Sequence, residues 1–124
     1  MKKAHLILFS AVIAISAVTS CEKEQPAENV EGNYTGVLDA KYDGVDTLNG
    51  SYPVFVTATT KNKVLVEGTL FPAFEVLVTQ QGVNVDPVST DANVHAFLYQ
   101  GNLNELSFTY YKGGDTAVYV GTKP

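Results

Sequence analysis

From Gly32 onward the chain alternates apolar and polar residues with a period of two, and Gly, Pro, Asn and Asp break the alternation at short intervals. A period of two places successive side chains on opposite faces of a strand, whereas a helix needs apolar residues three and four apart. No window in this region offers such a helical stripe. Val, Thr, Tyr and Phe are frequent, and branched and aromatic side chains suit a pleated, half-buried surface. The chain is therefore restricted to short antiparallel strands.

The alternation predicts a first strand over Asn33–Tyr42, with Tyr34, Gly36, Leu38 and Ala40 on one face and Thr35, Val37, Asp39 and Lys41 on the other. Asp43 to Ser51 holds two Gly, two Asp and an Asn and is predicted as a loop. Pro53–Thr60 follows, opening on a proline where the missing N–H costs least. Lys61-Asn62 turns into Lys63–Gly68, and Thr69–Thr79 carries Pro72 as a sign of a bulge or edge. Gln80-Gln81-Gly82 leads to a weak strand, Val83–Val88, interrupted by Pro87. A loop over 89–93 precedes Val94–Gln100. Gly101-Asn102 reads as a two-residue hairpin turn, and Leu103–Lys112 and Thr116–Thr122 close the chain around Gly113-Gly114-Asp115.

About eight strands joined by tight turns make an antiparallel meander. An open meander of that size leaves two unpaired edges, and closure removes them. The expected fold is all-β, a small barrel over a single domain, 31–124. The alternative is a two-sheet β-sandwich, with 43–51 and 89–93 as crossovers.

The N-terminus is built differently. Lys2 and Lys3 precede an apolar run from Leu6 to Val18, broken only by Ser10 and Ser16. At about 1.5 Å per residue this run falls short of a bilayer core of roughly 30 Å, and its layout is that of an export signal. Val18-Thr19-Ser20-Cys21 resembles the lipobox of bacterial lipoproteins. The resemblance implies cleavage between Ser20 and Cys21, a diacylglyceryl group on the thiol and acylation of the new amine by palmitate-type chains. Residues 1–20 are then a removed signal. Residues 21–30, polar and acidic with Pro26, are expected to be a lipidated flexible tether. Glu22-Lys23-Glu24 resembles the acidic export tag of surface lipoproteins in the Bacteroidota. The expected location is the outer membrane, surface-exposed or periplasm-facing.

Within the domain, Gly32-Asn33-Tyr34-Thr35-Gly36, Leu106-Ser107-Phe108-Thr109-Tyr110 and Val118-Tyr119-Val120-Gly121-Thr122 resemble the small calycin-like (lipocalin-like) β-barrel lipoproteins of the Bacteroidota. The resemblance implies a closed eight-stranded barrel. True lipocalins carry Gly-x-Trp at the first strand; here Tyr34 takes that place and the chain has no tryptophan.

Charge and residue usage narrow the function. The formal charge is −5, and loss of Lys2 and Lys3 leaves −7, six lysines against thirteen acids. There is no arginine, so nucleic acid, which is bound through cationic and bidentate contacts, is not an expected partner. With the single cysteine used as an anchor, no disulfide and no thiolate metal site is expected. His95 stands alone in the mature chain and reads as an outward strand residue without a nucleophile beside it. Glu67, Glu75 and Glu105 do not pair by spacing. Asp39, Asp43, Asp46 and Asn49 cluster without calcium-loop spacing and are residues that turns prefer. No catalytic residue, cofactor or metal is expected.

Two kinds of candidate remain. Tyr110 and Tyr111 must point to opposite faces, so one of them is available to stack on a glycan or anchor a protein partner. Asp46-Thr47-Leu48 and Asp115-Thr116-Ala117 resemble the Asp-Ser/Thr-apolar acceptor for O-glycosylation in the Bacteroidota. Both lie at predicted turns, which makes Thr47 and Thr116 candidate modification sites. The function expected is a non-catalytic binding or interaction module for a glycan, peptide or protein partner, held to the membrane through Cys21. The alternative is a carrier of a small apolar ligand inside the barrel. Cys21→Ser is expected to release the protein or to strand the uncut precursor. A cleaved Cys21→Ser protein that still sediments with membranes would overturn the anchor.

Overall fold

The computed structural model describes residues 25–124. Eight antiparallel strands form one closed barrel in chain order: β1 (Gly32–Tyr42), β2 (Val45–Thr60), β3 (Lys63–Gly68), β4 (Phe71–Gln81), β5 (Asn84–Thr90), β6 (Val94–Gln100), β7 (Glu105–Lys112) and β8 (Asp115–Thr122). Every strand pairs with its sequence neighbours, and β1 pairs with β8 from Thr35↔Thr122 to Lys41↔Thr116. The closed meander expected from the alternation is present, and the sandwich is not. The signal and Cys21 lie outside the described residues.

Three strand boundaries differ from expectation for local reasons. Asp43 to Ser51 is not a loop: Asp43 and Gly44 both have positive φ (52° and 80°), a two-residue turn of the kind that matches strand twist, and β2 begins at Val45. The turn between β6 and β7 takes four residues, not two. Gln100 pairs with Glu105, and Asn104 supplies the left-handed position (φ 50°). The chain between β4 and β5 turns at Gly82-Val83, with Gly82 at φ 63°.

The flexibility expected of the tether through Val30 does not hold over its last five residues. Pro26–Val30 is a short helix, α1, with Pro26, Ala27 and Val30 buried. It closes one mouth of the barrel. The Ala27 N–H donates to the Lys61 carbonyl (3.1 Å), the Tyr34 hydroxyl donates to the Val30 carbonyl, and Asn29 Nδ2 donates to Gln80 Oε1 (2.8 Å). Five residues carry too few hydrogen bonds to hold a helix alone, so its stability comes from this packing. Lys123 caps its end: Nζ donates to the carbonyls of Asn29 (2.6 Å) and Glu31 (2.8 Å) and lies over the rings of Tyr99 (4.9 Å) and Tyr34 (5.7 Å).

The interior is filled. Phe71, Phe74, Phe108 and Tyr119 pack edge-on or tilted, with centroids 5.2–5.9 Å apart, and Tyr110 stacks on Phe74 at 6.1 Å. Tyr52 meets Phe71 and Tyr119 from the side, and Tyr34 meets Tyr99. Aliphatic residues from all eight strands complete the core, and among the described residues no charged side chain is buried. An eight-stranded barrel encloses about as much space as its own side chains fill.

The β1–β8 seam depends on two facing glycines. Gly36 lies opposite both Gly121 and Tyr52, and the Tyr119 hydroxyl reaches the Tyr52 carbonyl (3.0 Å) across this narrow part of the wall. A Cβ on Gly36 would overlap the Val120 carbonyl and the Gly121 Cα, both backbone atoms. Gly36→Ala is therefore expected to cost about 1–3 kcal/mol, lowering Tm by about 4–8 °C for each kcal/mol in a domain of this size. Gly50→Ala, where an added Cβ meets nothing within 4 Å, serves as control. Equal melting temperatures for the two variants would refute this account of the seam.

Candidate interaction surface

β2 is 16 residues long and β3 only 6, so the two cannot match along their lengths. Pairing with β3 covers Phe55 to Thr60. Beyond that, the β3–β4 turn folds over Tyr52, whose hydroxyl accepts from the Leu70 N–H (2.7 Å) and lies 3.2 Å from Thr69 Oγ1. Residues 45–51 then continue past the wall, paired only with β1. All seven are exposed. They form an arm of roughly 20 Å, at about 3.4 Å per residue, and the side of β2 facing away from β1 is an open strand edge.

The sequence at the turn fixes which groups the edge presents. A two-residue turn makes Tyr42↔Val45 a hydrogen-bonded pair, and such pairs alternate with non-hydrogen-bonded ones. The N–H and C=O of Val45, Thr47 and Asn49 therefore face β1, while those of Asp46 and Leu48 face outward. Leu48 is 75% exposed, the highest value among the large apolar residues described. It shares the outer face with Asp46, and its neighbour across the pair is Asp39. At the base of the arm Gly50 and Ser51 oppose the single residue Val37, a bulge where Asn49 Oδ1 accepts from the Ser51 N–H (2.9 Å). At its tip the Asp43 N–H donates to Asp115 Oδ1 (3.1 Å).

The arm and α1 occupy opposite ends of the barrel. β1 starts beside α1 and runs to the arm tip, and the turns at 69–70, 91–93 and 113–114 share the arm's end. Sequence reasoning missed the arm because the loop assignment absorbed it. The Asp43-Gly44 dipeptide was the available signal, being a strong hairpin former.

The residues singled out from sequence are scattered. Tyr110 is buried in the aromatic core, which removes it as a binding residue. Tyr111 is exposed on the outer wall, its ring 5.0 Å from that of His95. Thr47 and Thr116 are not at turns. Thr47 is exposed within the arm, and Thr116 is half-buried in β8, paired with both Lys41 and Tyr111. Glu75 lies 3.8 Å from Lys63 on the exposed wall, the one ion pair among the described residues. Asp39, Asp43 and Asp46 are spread along the arm, and no described group of three or more His, Cys, Asp or Glu converges on one point.

The surface also carries a hollow of about 450 Å³ beside α1, lined by Asn29, Gln80, Tyr99 and Asn102, and two depressions in the wall. β5 and β6 pair only at Asn84↔Gln100 and Val85↔Tyr99, then part beside Pro87, which has no N–H, around a cleft of about 150 Å³. The loop end of this cleft is shut by the Val94 N–H on the Asp91 carbonyl (2.9 Å) and Thr90 Oγ1 on the Val94 carbonyl (3.1 Å), so no strand can enter. A groove of about 410 Å³ runs along the wall past Leu65, Leu77 and the Lys63–Glu75 pair. Comparison with protein-family models, curated proteins and solved structures returns no match.

Burial sets the ionisation of the interior. Desolvation, reinforced by neighbouring phenols, holds Tyr34 well above the usual tyrosine range and raises Tyr119 and Tyr42 to about 12; Asp115 adds to the effect at Tyr42. Desolvation also raises Tyr99. Lys123 is lowered by desolvation, partly offset by Glu31. A phenol raised in the folded chain contributes stability that is fully present below the unfolded value of 10.0 and is lost as pH rises through its folded value. Lys123 acts in the opposite sense, since the unfolded chain binds its proton more tightly and stability rises just below 10.5. Four phenols outweigh one amine. The urea midpoint is expected to hold up to pH 10, then fall towards pH 12 while a fraction of the phenols resists ionisation at 295 nm. Uniform titration of all seven tyrosines near pH 10 with a constant midpoint would contradict this.

Proposed function

We propose that the protein is a lipid-anchored, non-catalytic interaction module of the outer membrane that presents the β2 arm to a protein partner. The observation that carries this reading is the open strand edge at the end of the barrel opposite α1. With Cys21 acylated, five residues upstream of Pro26, the α1 end faces the bilayer and the arm points away from it. A β1 of 11 residues, at about 3.4 Å each, sets the distance between these ends at roughly 35 Å along the strand.

The interior supports a binding role on the outside. Aromatic side chains occupy the space a carried ligand would need, and α1 with Lys123 covers one mouth. No described cluster offers a nucleophile beside a base: His95 lies against Tyr111 on the exposed wall. A rigid closed barrel bearing an unpaired edge at the end opposite α1 is suited to recognition by main-chain hydrogen bonds, where the scaffold costs little ordering entropy.

The test is site-specific photocrosslinking on intact cells. A photoreactive residue at position 48 is expected to give a discrete adduct, whereas one at position 67, on the exposed outer face of β3, is expected to give none. Indistinguishable adduct patterns from the two positions, or none from either, would remove the arm as the interaction surface.

A further inference from the structure

We infer that the β2 arm binds an extended cationic segment of a partner protein as an added antiparallel strand, reading an apolar residue, any residue and then a basic residue in that order. This rests on the interaction-module reading above and specifies the partner's chemistry. Pairing along Asp46 and Leu48 would satisfy the outward main-chain groups of the arm, and antiparallel pairing is slightly the more stable arrangement.

The side chains beside the edge define the sequence preference. A residue opposite Leu48 lies on the same outer face, next to a leucine side chain that is 75% exposed. An apolar side chain there removes surface from water on both strands. Two positions further along the incoming strand, its side chain lies opposite Asp46. Asp46 faces Lys41 across the ladder on the same outer face, yet Lys63–Glu75 is the one ion pair among the described residues, so neither Asp46 nor Asp39 has a cation within 4 Å. A Lys or Arg opposite Asp46 meets that carboxylate from the side away from Lys41, and the negative formal charge of the chain favours its approach. The residue between points to the inner face, towards Thr47, and is unconstrained by charge.

The edge lacks the usual protection against strand addition. Natural edges are blocked by lysine, proline, bulges or very short length. The stretch 45–51 contains neither Lys nor Pro, and its one bulge sits at the base of the arm. A second copy of the chain is a poor occupant. Antiparallel self-pairing of β2 reverses the second barrel, so its α1 end points away from the first copy's membrane. It also brings a second set of arm carboxylates to the edge.

The experiment uses the full mature lipoprotein in detergent micelles, isotopically labelled, with two capped peptides, Thr-Thr-Val-Thr-Lys-Thr-Thr and the same sequence with Glu in place of Lys. Shifts and exchange protection are expected at the Asp46 and Leu48 amides, with the lysine peptide binding about two- to fivefold more tightly. Leu48→Pro removes an outward donor without touching a bond to β1 and is expected to weaken both peptides about three- to tenfold. Asp46→Asn, which leaves the edge amides in place, is expected to abolish the preference for lysine. Equal affinity for the two peptides, shifts confined to other strands, no binding up to millimolar peptide, or a peptide-independent dimer centred on Leu48 would each overturn the proposal. An adduct from position 48 on cells combined with any of these results leaves the interaction module standing with a different partner.

Discussion

The pairing of β1 with β8 is the contact on which the rest of the molecule depends. All other strand pairs join neighbours in sequence and form a ribbon that could remain open. Seven consecutive pairs, Thr35↔Thr122 to Lys41↔Thr116, convert that ribbon into a barrel. Closure brings the aromatic side chains of distant strands together, so that Phe71 and Phe74 of β4 meet Phe108 of β7, which packs in turn on Tyr119 of β8. It also creates the mouth that α1 covers and places Lys123, just after β8, against the carbonyls of Asn29 and Glu31. The two ends of the barrel domain are thus joined twice, once by the sheet and once by an ammonium group. Bringing residues so far apart in sequence together carries a loop-closure cost, which the buried aromatic cluster offsets.

The alternation revealed strand number, order and closure because those follow from period two and tight turns. Its phase was less secure. A bulge adds one residue to one strand and moves every later side chain to the opposite face. β6 shows the effect. Val94 points inward, His95 and Ala96 are both exposed, and Phe97 and Tyr99 then return to the core, because the register with β7 shifts between Val94 and Ala96. Strict alternation from Val94 would have placed Phe97 and Tyr99 outside. A similar shift follows Phe71, where Pro72 and Ala73 are both exposed; there the proline announced the bulge in advance.

The features least legible in sequence are those decided by tertiary contact. Nothing in Pro26-Ala27-Glu28-Asn29-Val30 distinguishes a loose linker from a helix, and five residues have no intrinsic stability as one. The helix exists because a closed mouth offers Ala27 and Val30 somewhere to go. Tyr110 and Tyr111 were equivalent on paper beyond their opposite facing. Only the core around Phe74 decides that Tyr110 is the buried one.

Closure ordinarily removes the edges of a sheet, and the arm is an exception imposed by strand lengths. β2 outlasts β3, and the β3–β4 turn is fixed to Tyr52 instead of following β2 outward. Residues 45–51 are all exposed, so the arm adds no buried side chain of its own to the core. Its Asp43-Gly44 turn and its ladder with β1 pair the backbone of Leu38 to Tyr42, which accounts for the inner side of the arm but not for its open outer edge. Stability accounts for the aromatic interior, the paired glycines and α1. It does not account for an exposed leucine between two carboxylates on an unprotected strand edge, and a surface that the fold does not require is where recognition by another molecule is best sought.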